Sequence, residues 1–115
     1  MKAAVFKEVG KPLAIEKVAD PTPESNELVM KVCYCGICGT DLHATREGLT
    51  TAECGQILGH EYVGEIVEVG KETEGGWQVG DRVCAMPFIA CGRCPACATG
   101  HFFECQNKKV SGVDD

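Results

Sequence analysis

Short apolar runs follow one another along this chain, and glycine residues separate them. Such runs predict β-strands, here at residues 2–7, 13–18, 28–35 and 62–69, with a further strand starting near residue 83. Alternation of side chains with a period of two supports the strand at 28–35. In the strongest strand, one face carries Leu28, Met30, Val32 and Tyr34, and the other carries Val29, Lys31, Cys33 and Cys35. Short strands with tight glycine corners predict a mainly β domain.

Other residues interrupt the strands and predict a turn, a loop and one helix. Residues 10–12 are a Gly-Lys-Pro turn signal, and residues 20–23 predict a loop because their two prolines cannot donate to a sheet. Residues 40–47 predict a short helix with Thr40 or Asp41 near its N-cap. Gly64 is predicted to interrupt the strand at 62–69. Residues 91–105 have no strong period and predict a lobe of loops that a metal organises.

Composition narrows the class of protein. At 115 residues the chain is long enough for one domain with a modest core. Its net charge of −6 argues against a nucleic-acid partner, and no stretch approaches the length of a membrane span. The odd number of cysteines, nine, and the lack of a signal-peptide pattern favour a reducing cytoplasm over a disulfide scaffold. We therefore expect a cytoplasmic protein with metal-bound or free thiols.

Four cysteines form the motif C-x2-C-x2-C-x7-C, at Cys91, Cys94, Cys97 and Cys105. Four thiolates on short loops make a closed tetrahedral cage for Zn²⁺ with no position for a substrate, so the motif predicts a structural zinc site. Disulfides are one alternative, but they do not suit a reducing compartment. An iron–sulfur cluster is another, but that motif has its fourth cysteine after three residues, followed by proline. Here seven residues intervene, and Gln106 follows Cys105.

A second group of candidate ligands lies upstream, where Cys38 follows one predicted strand and His60 precedes another. A cysteine and a histidine at adjacent strand ends supply two ligands of an open zinc site. By spacing alone, a buried free thiol and a surface imidazole are the simpler interpretation. Asp41 favours the metal site, because a metal-bound histidine usually donates its other N–H to a carboxylate. The remaining cysteines are predicted to be small buried packing residues: Cys33, Cys35, Cys54 and Cys84.

Three neighbouring side chains each have a functional and an ordinary interpretation. Thr40 either offers a hydroxyl beside the predicted metal or caps the helix. His43 either takes part in proton transfer near neutral pH or is a solvated helix residue. Glu61 adjoins His60 and either tunes or transiently binds the metal, or is a surface charge. The residues alone leave these alternatives open.

Three motifs occur together in a fixed order: G-I-C-G-T-D-L-H at 36–43, G-H-E-Y-V-G at 59–64, and the four-cysteine motif at 91–105. Together they resemble the zinc-containing medium-chain alcohol dehydrogenases. The opening residues M-K-A-A-V and the turn V-G-D-R-V at 79–83 are similar to that family as well. The resemblance covers essentially the whole chain, and the order and spacing of three separate motifs make it specific.

The resemblance implies a fold and a set of roles. The fold is a GroES-like, partly open β-barrel with short helices and a zinc-stabilised loop lobe, with residues 1–115 as the N-terminal portion of the catalytic domain. The implied roles are Cys38 and His60 as ligands of a catalytic zinc, Thr40 as the hydroxyl that bonds the substrate oxygen, His43 as the end of a proton relay, Asp41 and Glu61 as carboxylates near the zinc, and Cys91, Cys94, Cys97 and Cys105 as ligands of a structural zinc.

The resemblance also implies a reaction, in which a small-molecule alcohol is oxidised to an aldehyde or ketone with NAD or NADP. The third protein ligand of the catalytic zinc and the nucleotide-binding Rossmann domain are expected outside these 115 residues, because no G-x-G-x-x-G motif follows a strand here. We therefore expect these residues alone to be inactive, and the full-length protein to be a homo-oligomer, a dimer or a tetramer. The identity of the alcohol and the choice between NAD and NADP remain open.

A second class of function is a non-catalytic zinc-binding module or a truncated product. Such a module needs only the four-cysteine lobe and has no use for Thr40 and His43. The zinc-free quinone reductases are a third class, which the cysteine and histidine ligands disfavour. The residues between 38 and 61 therefore distinguish an enzyme from a structural module.

Overall fold

The structure is a computed structural model that describes residues 1–48 and 52–111. Its elements in chain order are β1 Lys2–Val5, β2 Ala14–Lys17, β3 Leu28–Gly36, α1 Gly39–Arg46, β4 Glu61–Val69, β5 Arg82–Cys84, β6 Phe88–Ile89, α2 Pro95–Ala98, a 3₁₀ turn Phe102–Glu104, and β7 Lys109–Val110. Strands and their connections dominate, which confirms the predicted mainly β class. Among the residues described, no helix has the length and apolar character needed to span a bilayer.

The strands pair in three antiparallel sheets, with β1 beside β2, then the order β3-β4-β5, then β6 beside β7. Over the described ranges these sheets remain separate and do not close into a barrel. The β3–β4 pair is the longest, and each of its strands has nine residues. This pair is the frame on which the first candidate site is built.

The predicted first strand ends earlier than expected, at Val5 instead of residue 7. The backbone of Phe6 bonds to a different segment, because its N–H donates to Gln56 O at 2.8 Å and its carbonyl accepts from Gly55 N–H at 2.8 Å. Val5 also bridges Ile57. These bonds fix residues 55–57 against β1, and the chain then runs directly to His60.

The predicted two-faced pattern of β3 is only partly correct. Irregularities in the pairing with β4 lie between Val29 and Met30 and between Val32 and Tyr34. Each irregularity shifts the alternation, because an inserted residue moves the following side chains to the other face. Tyr34 is 77% exposed and Val32 is 53% exposed, so the face predicted to be apolar is open to solvent at this end.

Gly64 does not interrupt its strand, contrary to the prediction, because β4 runs without a break from Glu61 to Val69. The residue instead permits a close approach of β3. It pairs with Val32 beside the second irregularity, and a Cβ at this position would collide with the carbonyl of Lys31 and with the Met30 side chain. Glycine is therefore required here by packing between strands and not by a turn.

The predicted packing role of four cysteines is wrong, because Cys33, Cys35, Cys54 and Cys84 are all exposed. Their places in the fold explain this. Cys33 lies at the second irregularity of β3, Cys54 lies in a turn, and Cys84 ends the edge strand β5. The buried apolar core of the described residues is small and includes Val5, Phe6 and Ile66.

Candidate metal centres

The antiparallel pairing of β3 and β4 brings Cys38 and His60 to the same end of the sheet. Gly36, the last residue of β3, pairs with Glu61, the first residue of β4. Cys38 lies two residues beyond Gly36, and His60 lies one residue before Glu61. Two residues that are distant in the sequence therefore meet because each adjoins one member of the same cross-strand pair.

Helix α1 starts at this point, and Asp41 organises its first turn. Cys38 is the N-cap, and Thr40 and Asp41 follow it by two and three residues, which agrees with the prediction that they lie near the N-cap. The Cys38 N–H donates to Asp41 Oδ2 at 2.8 Å, and the Asp41 N–H donates to Cys38 O at 3.1 Å. This reciprocal pair fixes the backbone of Cys38 relative to the helix.

The other carboxylate oxygen of Asp41 faces His60. Asp41 Oδ1 lies 3.6 Å from His60 Nδ1, which is longer than a hydrogen bond. The His60 side chain is 8% exposed, and its Nδ1 has no hydrogen-bond partner among the residues described. Buried polar atoms are nearly always satisfied, so an unpartnered Nδ1 that faces a carboxylate oxygen is an exception that needs an explanation. Asp41 thus caps α1 with one oxygen and lies near His60 with the other.

Three donor atoms of different types lie close together beside Asp41. The Cys38 Sγ, a ring nitrogen of His60 and a carboxylate oxygen of Glu61 all lie within 4.8 Å of one another. Thiolate, imidazole and carboxylate are the ligand types that zinc takes in proteins. Cys38 is half-buried, His60 is buried and Glu61 is exposed, so the group is open on one side. The donor chemistry therefore fits a divalent cation with room for a further ligand.

Thr40 and His43 lie on α1 next to this group. The Thr40 Oγ1 is 3.7 Å from Cys38 Sγ. His43 follows Thr40 by three residues on the helix, so the two side chains share a face. The His43 side chain is 62% exposed, and its Nδ1 lies 3.0 Å from Glu47 Oε2. Thr40 beside the Cys38 thiol and the exposed His43 therefore lie on one face of the helix.

Cys35 and Gly59 form a contact that the sequence analysis missed. Gly59 has φ +112°, and a Cβ on it would lie 2.8 Å from Cys35 Sγ. Cys35 was interpreted as a buried packing residue, but its sulfur rests on the backbone immediately before His60. The sequence signals for this contact were the position of Cys35 one residue before Gly36 and the glycine that begins the 59–64 motif.

Replacing Gly59 by alanine is expected to destabilise the protein by two separable effects. The positive φ costs about 1–3 kcal/mol for a residue with a Cβ, and the collision with Cys35 Sγ adds about 1 kcal/mol. Gly55→Ala is the matched control, since Gly55 has φ +104° and nothing within 4 Å of its added Cβ. Unfolding midpoints in denaturant should show a larger loss for Gly59→Ala. Adding Cys35→Ala should remove the difference, and equal losses at the two glycines would refute the contact.

The second group of donors is the four-cysteine lobe. The sulfur atoms of Cys91, Cys94, Cys97 and Cys105 all lie within 4.8 Å of one another. Cys94 is the N-cap of α2 with Pro95 directly after it, and Cys97 lies inside this helix. The Cys91 N–H donates to Cys105 Sγ at 3.4 Å, which joins the two ends of the lobe. The structure thus assembles all four predicted ligands in one place.

Backbone amides and burial act in opposite directions on these thiols. Hydrogen bonds from the backbone of Arg93 and Cys94 lower the pKa of Cys91 to about 6, and the backbone of Cys97 lowers the pKa of Cys94. Burial, followed by the neighbouring thiols, raises the pKa of Cys97 to about 12. Four thiolates this close would repel one another, so the geometry suits a cation that compensates their charge.

A sequence model of the family described as the alcohol dehydrogenase GroES-like domain matches residues 24–113. The chain belongs to this family. The matched range contains every residue of both donor groups. This membership accounts for the mainly β fold and for the order of the motifs along the chain.

Relatives of this chain include L-threonine 3-dehydrogenases from several organisms. The protein from Pyrococcus furiosus is 44% identical over 97 residues, which cover 82% of this chain and 28% of that protein. The protein from Xanthomonas axonopodis pv. citri is 40% identical over 117 aligned residues, which cover 99% of this chain and 34% of that protein. The chain therefore spans about a third of the length of these curated relatives.

Solved structures of the family agree with the fold. The alcohol dehydrogenase TADH from Thermus sp. ATN1 matches with a TM-score of 0.88 and 33% identity, over 100% of this chain and 33% of that one. A protein from Sinorhizobium meliloti 1021, described as a zinc-binding dehydrogenase and bound to NADP, matches with a TM-score of 0.85 and 36% identity. That match covers 97% of this chain and 32% of the other. The fold of the described residues is therefore that of GroES-like dehydrogenase domains.

Proposed function

We propose that this chain is the N-terminal catalytic part of a longer zinc-dependent oxidoreductase that oxidises an alcohol to an aldehyde or ketone with NAD or NADP. The observation that carries the proposal is the convergence of Cys38, His60 and Glu61 within 4.8 Å. Membership of the dehydrogenase family and the dehydrogenases among its relatives support it. The names of these relatives identify them as dehydrogenases. The catalytic metal, the residues that bind it and the class of substrate are what we propose in addition.

The proposal assigns separate metal roles to the two donor groups. Cys38 and His60 would hold a catalytic zinc, with Glu61 beside them and a third ligand from outside these residues. A zinc ion bound there supplies a Lewis acid that polarises the substrate oxygen. Cys91, Cys94, Cys97 and Cys105 would hold a structural zinc, because four thiolates complete a tetrahedral cage and leave no position for a substrate.

Asp41 has a positioning role in this proposal. A neutral imidazole carries one N–H and one lone pair, and the hydrogen bond made by one nitrogen decides which nitrogen ligates. The proximity of Asp41 Oδ1 to His60 Nδ1 favours a proton on Nδ1. The lone pair of Nε2 is then available to a metal. The Cys38 N–H holds the other oxygen of Asp41, so the carboxylate cannot rotate freely.

Thr40 and His43 would move the proton of the alcohol. The Thr40 hydroxyl accepts the proton of the substrate hydroxyl and releases its own proton towards His43. The exposed imidazole of His43 then releases a proton to solvent. NAD or NADP bound in the parent protein would supply the acceptor for the hydride from the substrate carbon, so that the alcohol would give a carbonyl product, a reduced cofactor and one proton.

The alternative function is a zinc-stabilised module without catalysis. The four-cysteine lobe alone would serve such a module. Such a module does not need Asp41 Oδ1 at 3.6 Å from His60 Nδ1, or the Thr40 hydroxyl at 3.7 Å from Cys38 Sγ. These proximities favour the enzyme.

The test is an assay of the full-length parent protein with NAD and with NADP over primary, secondary and polyhydric alcohols, including L-threonine. We expect cofactor reduction with at least one alcohol, and its loss when a chelator removes the metal from the Cys38 group. Readdition of zinc should restore turnover. Elemental analysis should find one zinc for each donor group. A metal-loaded parent that reduces neither cofactor with any alcohol would leave the structural module as the function.

A further inference from the structure

Two glycines flank Cys38, and the structure gives them different surroundings. Gly36 ends β3 and Gly39 begins α1. Neither has a positive φ, so alanine fits the backbone at both positions without strain. A side-chain substitution at either position therefore tests the space around it and not the conformation of the chain.

The space at Gly36 is occupied by the carboxylate of Glu61. A Cβ on Gly36 would lie 2.9 Å from Glu61 Oε2 and 3.4 Å from Glu61 Cβ, because the two residues are directly paired across β3 and β4. A Cβ on Gly39 would have nothing within 4 Å. A methyl group at position 36 would overlap with the carboxylate in its present position. A methyl group at position 39 would overlap with no other atom.

The collision affects the donor group and not the fold. Glu61 Oε2 is the far end of a flexible and exposed side chain, so rotation relieves the contact at little cost to packing. A rotation that moves the carboxylate away from Gly36 also changes its position relative to Cys38 and His60. The thiol and the imidazole stay in place, because their positions depend on α1 and on the backbone before β4.

We propose that Gly36 is a positioning residue that keeps the Glu61 carboxylate within the Cys38–His60 group, because it has no side chain in the space that the carboxylate occupies. The carboxylate then contributes negative charge and an oxygen donor to a divalent cation at this group. The inference rests on the proposed function for the metal at Cys38 and His60. It extends that proposal to a residue with no donor atom of its own.

The experiment measures metal affinity in the full-length parent protein by competition with a chelator, first with Zn²⁺ and then with Co²⁺. Gly36→Ala should weaken binding at the Cys38 group by about tenfold, the lower end of the effect of residues that support metal ligands. Gly39→Ala should leave affinity unchanged. Neither substitution should lower the melting temperature of the metal-free protein, because alanine fits the backbone at both positions. Equal affinities for Gly36→Ala and the unmodified protein, or equal weakening by the two variants, would overturn the proposal.

A double-substitution cycle shows whether Gly36 acts through Glu61. Glu61→Ala removes the group that the methyl displaces, so Gly36→Ala should have no further effect in that background. The Co²⁺ absorption that disappears in Cys38→Ser reports this site separately from the four-cysteine lobe. It should shift in Gly36→Ala in the same direction as in Glu61→Ala.

Persistence of the full Gly36→Ala effect without Glu61 would refute the positioning role. Failure of the proposed function gives a different result. In that case neither Cys38→Ser nor His60→Ala would change metal content or the Co²⁺ spectrum.

Discussion

Replacement of His60 by alanine in the full-length parent protein is expected to reduce kcat roughly a thousandfold or more. Lewis-acid polarisation of the substrate oxygen supplies several kcal/mol, and about 1.4 kcal/mol corresponds to a factor of ten. His60 is the buried member of the donor group, so its removal also leaves a cavity behind Asp41. Steady-state kinetics over the alcohols that the parent oxidises is the measurement, together with zinc content.

Cys38→Ser should cause a comparable loss, and Cys84→Ser is its matched control. Both cysteines adjoin strand ends of the same three-stranded sheet, but Cys84 lies outside both donor groups and is exposed. Normal activity and full zinc content in His60→Ala would remove the catalytic metal from the proposal. Equal losses of kcat for Cys38→Ser and Cys84→Ser would indicate that the substitutions damage the sheet, and not that Cys38 coordinates a metal.

The proton relay predicts a graded response at Thr40 and His43. Thr40→Val keeps the shape of the side chain but removes the hydroxyl, so it should lower kcat by about 100-fold. Thr40→Ser keeps the hydroxyl and should retain most activity. His43→Ala should be milder, about tenfold, because water reaches the exposed end of the relay. A loss for Thr40→Ser as large as for Thr40→Val would exclude a relay through the hydroxyl.

The local pattern of the sequence predicted the strands well, but it did not predict how they depart from regular pairing. The strand at 28–35 followed from alternation, and β3 extends only one residue further. The irregularities at residues 29–30 and 32–34 depend on contacts with β4, so no count of apolar positions within β3 reveals them. Gly64 shows the same limit, because its close neighbours Met30 and Lys31 belong to the other strand.

The candidate donors were predictable because their chemistry is carried by residue types and spacing. The four cysteines of the lobe need no tertiary information beyond short loops, and the structure brings their sulfur atoms together. The Cys38–His60 pair needed more, since it depends on the pairing of Gly36 with Glu61. The sequence does not reveal which glycine near Cys38 lies against Glu61, or that the Cys35 sulfur rests on Gly59. Both proximities join residues that are far apart in the chain.

The four-cysteine lobe should depend on its zinc for its structure more than any other described part of the chain. Between residues 91 and 105 only Cys97 and Cys105 are buried, and Phe103 is 71% exposed although its ring lies 4.9 Å from that of Phe88. Apolar burial of this extent does not hold a loop. Metal binding energy is therefore expected to supply the folding energy of the lobe.

Removal of zinc by a strong chelator, or the substitution Cys94→Ser, should increase amide exchange in the lobe by at least about 100-fold, since local opening no longer has to break metal bonds. Suitable reporters are the amides of Ala98, His101 and Cys105, which donate to Cys94 O, Ala96 O and Phe102 O. The amides of Ile66 and Gly70, which donate to Asp81 O and Glu27 O, serve as internal controls and should keep their protection. Elemental analysis of the untreated protein should find zinc in the lobe. Iron there, or lobe amides that stay protected after zinc is removed, would show that something other than a zinc ion holds residues 91–105 together.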